Sequence, residues 1–276
     1  MPATETAVEA DFYYRIAMKE GEPKPSFGKH PIDPNAVRHQ AFSKTVLNGR
    51  AIQTSLDAEG FELVTHESQI ENFYDANEVQ SVYYEEIKEL ATRLTGARVV
   101  QTLGHLTRNE AEAEPGKRLG AHRLVHNDFT PALKEQLRKF IANSELLEGR
   151  VVIYNMWRRF DPGKRHAPLA VCDAGSVSAT DLLPTDLHNY GGKDGFQLEI
   201  YQSLHNSDHR WFYYPQMERN EILVFKTFDS EMNPFIPTLH SAFDDPGCPD
   251  HVPLRESIEI RVLCFYGTSS EPTFSQ

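Results

Sequence analysis

This sequence predicts a mainly-β fold with flanking helices, a sandwich or barrel, on three observations. From residue 151 onward it offers short strand-like runs at close spacing, each bounded by turn residues. Two helical patterns precede that series, as expected for helices packed outside the strands. No internal repeat, low-complexity tract or long linker divides the 276 residues, so a single domain, 1–276, is expected.

Taken in order, residues 1–60 are poorly patterned and read as an N-terminal arm. Within it, 10–17 and 42–47 are strand candidates, and 20–34 carries Pro23, Pro25, Gly28, Pro31 and Pro34, the composition of an extended loop. A further short strand is expected at 61–65. The first strong helix covers 76–94. Asp75 suits its N-cap, Gly96 its C-terminal stop, and Val79, Val82, Tyr83, Ile87, Leu90 and Leu94 make one apolar stripe.

Residues 98–106 read as a strand, and a polar loop leads to 122–130, read as another. Thr130 can cap a second helix with Pro131 in its first turn; Leu133, Leu137, Phe140, Ile141 and Leu146 line its inner face. Strands are then expected at 151–157, 196–201, 210–214, 222–228 and 257–266. Residues 158–195, with Pro162, Gly163, Pro168, Pro184 and the Gly191-Gly192 pair, read as a long, mostly irregular insertion, a lid or binding loop. Lys226, in an apolar run, reads as a snorkelling residue of an edge strand.

Composition bounds the function. Apolar content of 39% and charged content of 25% are ordinary for a globular protein. A formal charge of −12 argues against nucleic acid or an anionic membrane as partner. No apolar run approaches the roughly 18 residues of a membrane span, and the N-terminus is not that of a signal peptide. Three widely spaced cysteines, Cys172, Cys248 and Cys264, suggest neither a disulfide framework nor a zinc site. A reduced, cytoplasmic protein is expected, and a homodimer is compatible with these bounds.

The chemistry concentrates around the chain's only His-x-Asp, His126-Asn127-Asp128. On a strand, His126 and Asp128 project to one side and Asn127 to the other. An imidazole and a carboxylate so placed can grip one metal ion. A second histidine would complete the two-histidine, one-carboxylate face that suits non-haem Fe(II), with open positions for O2 and a co-substrate. His188, His205, His209, His240 and His251 compete for that place. His205 and His209 flank the turn-like Asn206-Ser207-Asp208, His251 lies in a Pro-rich loop, and His240 precedes an apolar strand-like step, which favours it.

Near the C-terminus, Arg255, Ser257, Glu259 and Arg261 would share one strand face. An Arg and a Ser two residues apart can jointly hold a carboxylate, the Arg through its paired fork. Arg261 reads as structural, paired with Glu259 or a nearby Asp. Trp157 and Trp211 are candidates either for the core or for the wall of a substrate pocket.

His-x-Asp, a distant His and then Arg-x-Ser resembles the pattern of Fe(II)/2-oxoglutarate-dependent oxygenases. Asn155-Met-Trp157-Arg158, the run from Pro168 to Asp173, His209-Arg-Trp211, the run from Phe225 to Ser230 and His240-Ser-Ala-Phe243 narrow it. Together they resemble the fungal hydroxylase/desaturase group, related to a component of cephamycin 7-methoxylation and to the endoperoxide-forming oxygenase of meroterpenoid biosynthesis, over residues 75–267. The resemblance implies a double-stranded β-helix (jelly roll, cupin-like), with Fe(II) and 2-oxoglutarate as cofactors and O2 as co-substrate. It also implies a small natural-product substrate that is hydroxylated, desaturated, cyclised or endoperoxidised. It puts the metal ligands at His126, Asp128 and His240, and the 2-oxoglutarate carboxylate at Arg255 with Ser257. The His240-to-Arg255 gap is longer than in the family's commonest members, which makes Arg261 the alternative to Arg255. The rival classes are a metal-dependent hydrolase or isomerase on the same fold, and a non-catalytic partner of a biosynthetic enzyme.

Overall fold

In chain order the strands are β1 (Ala7–Arg15), β2 (Ser26–Phe27), β3 (His39–Asn48), β4 (Phe61–Thr65), β5 (Val99–Asn109), β6 (His126–Asn127), β7 (Val151–Arg159), β8 (Leu169–Cys172), β9 (Leu182–His188), β10 (Gln197–Ser203), β11 (Trp211–Tyr213), β12 (Glu221–Asp229), β13 (His240–Ala242) and β14 (Glu256–Phe265). They belong to a computed structural model that describes residues 6–27, 38–114, 118–141, 144–161, 163, 166–188, 195 and 197–267. A nine-stranded sheet runs β1-β3-β11-β8-β13-β6-β10-β9-β2, and a five-stranded sheet runs β4-β12-β7-β14-β5. Pairing is antiparallel except at β11–β3 and β2–β9.

The five-stranded sheet has two different faces, and β14 shows why. Ile258, Ile260, Val262 and Cys264 point one way, into an apolar core with Val79, Tyr83, Ile87 and Leu90. Those four belong to the helical segment that begins as α1 (Ala76–Glu78), passes through a π-helical turn (Val79–Tyr83) and continues as α2 (Tyr84–Thr95). Asp75 caps its start by accepting from the Asn77 and Glu78 amides, and Gly96 ends it in the left-handed region at φ 67°. Each fully buried apolar side chain there contributes about 1.5–3 kcal/mol. The opposite face of β14 carries Ser257, Glu259, Arg261, Leu263 and Phe265 inward. Its lower, apolar end packs with Phe129, Leu133 and Leu137, the latter two on α3 (Leu133–Phe140).

Two further clusters explain the nine-stranded sheet. Phe61, Trp157, Leu223 and Phe225 of the smaller sheet meet Leu169, Val171 and Phe212 of the larger one, which brings the two sheets face to face. The larger sheet also curls: Tyr13 and Arg15 of β1 make bridges to Leu124 and Leu204, beside β6 and β10. Inside that curl, Val8, Ala10, Phe12 and Tyr14 pack on Val125, Ala170, Cys172 and Trp211.

Four expectations need correction. The described part of the first 60 residues is not an arm, because β1 and β3 pair over nine residues and belong to the larger sheet. The described part of residues 158–195 is not mostly irregular: β8 and β9 lie within it and occupy interior places in the sheet. Their Pro184 is accommodated inside β9, opposite Tyr201. The 122–130 strand shrinks to His126–Asn127, since 128–132 turn away towards α3. Lys226 is on no edge; β12 lies between β4 and β7, and the side chain is buried near Asp229. Gly28, Pro31, Pro34, Pro162, Gly191, Gly192 and Phe196 lie outside the described residues. Among the described residues, no helix is long and apolar enough to cross a membrane.

Candidate metal centre

His126 on β6 and His240 on β13 are directly paired across adjacent strands. Two residues along from His126, the chain carries Asp128 onto the same side. Asn127 faces the other way, donating to the carbonyls of Phe129 and Thr227. Nε2 of His126 lies 3.7 Å and Nε2 of His240 3.9 Å from Asp128 Oδ1. One ligand atom from each of the three side chains falls within 4.8 Å of the others, a spacing that one ion can bridge.

The ring orientations are fixed from behind. Nδ1 of His126 meets the Leu124 carbonyl at 2.7 Å and Nδ1 of His240 the Thr238 carbonyl at 3.4 Å. Each Nδ1 is therefore the donor, and each Nε2 keeps its lone pair for the cavity. The imidazoles also pack on one another, with centroids 4.2 Å apart, and His240 lies on Phe225. Burial keeps both rings neutral: it lowers His126 below its ordinary value and, with His126 adding its effect, takes His240 down to about 3. Burial by itself would raise the Asp128 carboxyl, but Arg261 and then His240 override it and hold Asp128 far below the carboxylate range. Neutral imidazoles beside an ionised carboxylate are the protonation states that metal ligation requires.

The wall of the cavity comes from both sheets. Arg108, His122, Trp157, Leu169, Arg255 and Glu259 line it together with His126, Asp128 and His240. Register explains the gathering: Ser257 on β14 faces Arg108 on β5 and Arg159 on β7, Glu259 faces Trp157, and Arg261 faces Asn155. Arg255 Nη1 donates to the Ala167 carbonyl at 2.9 Å, and its guanidinium lies over Trp157. Its Nε and the Ser257 hydroxyl, both buried, have no hydrogen-bond partner. Burial, with Arg108 and Arg159 adding like charge, lowers Arg255 to about 9. A buried cation in that condition is matched to an anion.

Arg261 is placed differently. Its Nε donates to Asp128 Oδ2 at 2.7 Å and its Nη2 to Glu259 Oε1 at 3.0 Å. Trp157 is on the cavity wall and Trp211 is not. On β11, Phe212 points between the sheets while Trp211 turns to the opposite face, against Phe12, with its Nε1 donating to the Tyr14 hydroxyl at 2.8 Å. Strand alternation sends it away from the centre, which corrects its expected place in the pocket wall. Sequence reasoning passed over Arg108, His122 and Asn155. Asn155 carried a usable signal, because strand alternation puts it on the same face as Trp157. Of the competing histidines, His209 is buried against Asp181 and Tyr14.

The donor set, with the unpartnered donors of Arg255 and Ser257 on the neighbouring β14, fits a divalent metal held with a small carboxylate ligand. A family model described as an oxidoreductase/YMDC permease-like domain matches residues 8–265. The Fe(II)/2-oxoglutarate-dependent dioxygenase nvfI of Aspergillus novofumigatus is 27% identical over 273 residues, 95% of this chain and 94% of the relative. The hydroxylase/desaturase efuI of Hormonema carpetanum is 32% identical over 237 residues, 77% of this chain and 79% of the relative. Among solved structures, the iron and alpha-ketoglutarate-dependent endoperoxidase NvfI matches with a TM-score of 0.81 at 26% identity, covering 96% of this chain and all of that one. The expected jelly roll is thereby met across nearly the whole chain. Its sequence, its sheets and the chemistry gathered between them place this chain in the family of Fe(II)/2-oxoglutarate-dependent dioxygenases that includes the hydroxylase/desaturases.

Proposed function

We propose that His126, Asp128 and His240 hold the Fe(II) of this dioxygenase, and that Arg255 with Ser257 receives the far carboxylate of 2-oxoglutarate. The substrate is a small natural product of secondary metabolism, oxidised by hydroxylation, desaturation, cyclisation or endoperoxidation. The observation that carries the reading is the buried, unpartnered Nε of Arg255 in the wall of the cavity that His126, Asp128 and His240 line, with the equally unpartnered Ser257 Oγ two residues along on the same face of β14. When bound, Fe(II) with 2-oxoglutarate and O2 supplies the oxidising chemistry.

The chain's own residues do the rest. Arg255 offers a rigid fork of donors and Ser257 a hydroxyl, so the carboxylate is fixed in direction as well as in place. Trp157 supports the guanidinium from below and, with Leu169, presents an apolar wall that keeps water from the reacting face. Cys172 and Cys264, buried as thiols, suit a reducing, cytoplasmic setting.

Anaerobic titration with Fe(II) and 2-oxoglutarate tests the assignment. A weak visible charge-transfer band should grow to one iron per chain when both are present. Asp128→Ala and His240→Ala should each lose most of the iron. Full iron content in both variants would remove this site from consideration.

A further inference from the structure

Asp128 has two oxygens, and the structure treats them differently. Oδ1 is the atom that approaches both imidazole Nε2 atoms, at 3.7 and 3.9 Å. Oδ2 is already engaged, taking Arg261 Nε at 2.7 Å and Asn155 Nδ2 at 3.4 Å. The first of these is a short, charge-assisted bond of the strong kind. Arg261 is in turn held: Glu259 Oε1 accepts from its Nη2 at 3.0 Å and from Arg108 Nη2 at 3.3 Å. Arg108 is tied to the Gly120 carbonyl at 2.9 Å. The series Asp128, Arg261, Glu259, Arg108 alternates in sign, and all but the part-exposed Arg261 are buried.

We infer that Arg261 is a positioning residue that confines Asp128 to ligation through Oδ1, with Glu259 and Arg108 holding it to that task. A carboxylate can ligate through one oxygen or both. A three-residue face serves a co-substrate that chelates only if its remaining positions stay open. Committing Oδ2 to a guanidinium keeps the carboxylate from taking one of them. The same geometry separates the two arginines of β14: Arg261 has Nε and Nη2 on carboxylates of the chain, whereas Arg255 has a buried Nε without a partner.

The inference rests on the metal assignment above, and the test keeps the two apart. The charge-transfer band is used anaerobically at saturating Fe(II) to measure the affinity of 2-oxoglutarate and of 2-oxobutyrate, which has the same 2-oxo acid head and lacks the far carboxylate. Arg261→Met should weaken both ligands by the same factor, about tenfold or more. Arg261→Lys should restore part of the loss for both. Arg255→Met should weaken 2-oxoglutarate alone and abolish the preference for it. Should Arg261→Met not fold, Glu259→Gln, which loosens Arg261 from behind, should give a smaller equal loss. The inference is overturned if Arg261 variants weaken only 2-oxoglutarate, since Arg261 would then be the carboxylate anchor. It is overturned equally if both affinities stay unchanged. A wild-type protein that shows no band with either ligand would instead refute the metal assignment.

Discussion

The guanidinium carbon of Arg255 lies 5.5 Å from the centre of the Trp157 ring, so a buried cation rests on an aromatic face and not on a carboxylate. Stacking of this kind offsets part of the cost of burying the charge and leaves the donors unspent. Arg255→Lys keeps the charge but loses the fork and the planar contact. It should weaken 2-oxoglutarate binding by about 1.5–3 kcal/mol, the range for a hydrogen bond to a charged group. Calorimetric titration of the iron-loaded protein checks this, and an unchanged affinity would move the carboxylate site elsewhere.

The two tryptophans should separate cleanly. Trp157→Phe weakens the platform under Arg255 and should reduce 2-oxoglutarate affinity by about 0.5–1 kcal/mol. Trp211→Phe removes the bond to Tyr14 and should cost about 1 kcal/mol of stability while leaving co-substrate affinity as it was. Urea unfolding and titration on both variants make the comparison. A loss of affinity in Trp211→Phe would show that the two clusters communicate.

His39 should make stability depend on pH. Its Nε2 accepts from the Gln202 amide at 2.6 Å, and Gln202 Oε1 accepts from Thr185, so a proton on that nitrogen would set donor against donor. Burial, then Arg15 and Arg38, push His39 down to about 4. With the unfolded value near 6.5, the stabilising contribution is complete above pH 6.5 and is lost as pH falls towards 4. His39→Asn should flatten that decline. The urea midpoint at pH 7 minus that at pH 5 should be smaller in the variant; equal differences would clear His39 of the effect.

Thiol chemistry should be confined to one position. Cys172 and Cys264 are buried, and burial raises them to about 12 and about 11. Cys248 is partly exposed beside Asp250 and His251 in an open cleft. Native protein should take up one equivalent of a thiol reagent, and Cys248→Ser should take up none. Modification of a second cysteine without denaturant would show that a core strand opens.

What the sequence disclosed depends on the length of each element. The ten-residue β14 shows a two-residue period, the nine-residue β7 and β12 show as apolar runs, and the 76–94 helix is marked by its cap and its stop. β6 and β13, of two and three residues, are too short to show any period, yet they carry both histidines. Those histidines were legible through chemistry and spacing alone. In β1, Val8, Ala10, Phe12 and Tyr14 alternate inward, but with only one turn of context the segment passed for an arm. Pro184 and the neighbouring glycines hid β9. Arg108 and Lys226 read as ordinary polar residues, because only register reveals that they are buried.

The pairing of β6 with β13 has a mechanical consequence. The larger sheet crosses from one half to the other through a ladder of a single residue pair, His126 opposite His240. On either side the neighbouring ladders are longer, three pairs between β13 and β8 and two between β10 and β6. The seam of the sheet thus coincides with two of the three side chains proposed to hold the ion. An ion gripped by both would fasten the two strands across that pair, adding to the β1 bridges that already join the halves, so a chelator should lower the stability of the sheet along this seam as it empties the site.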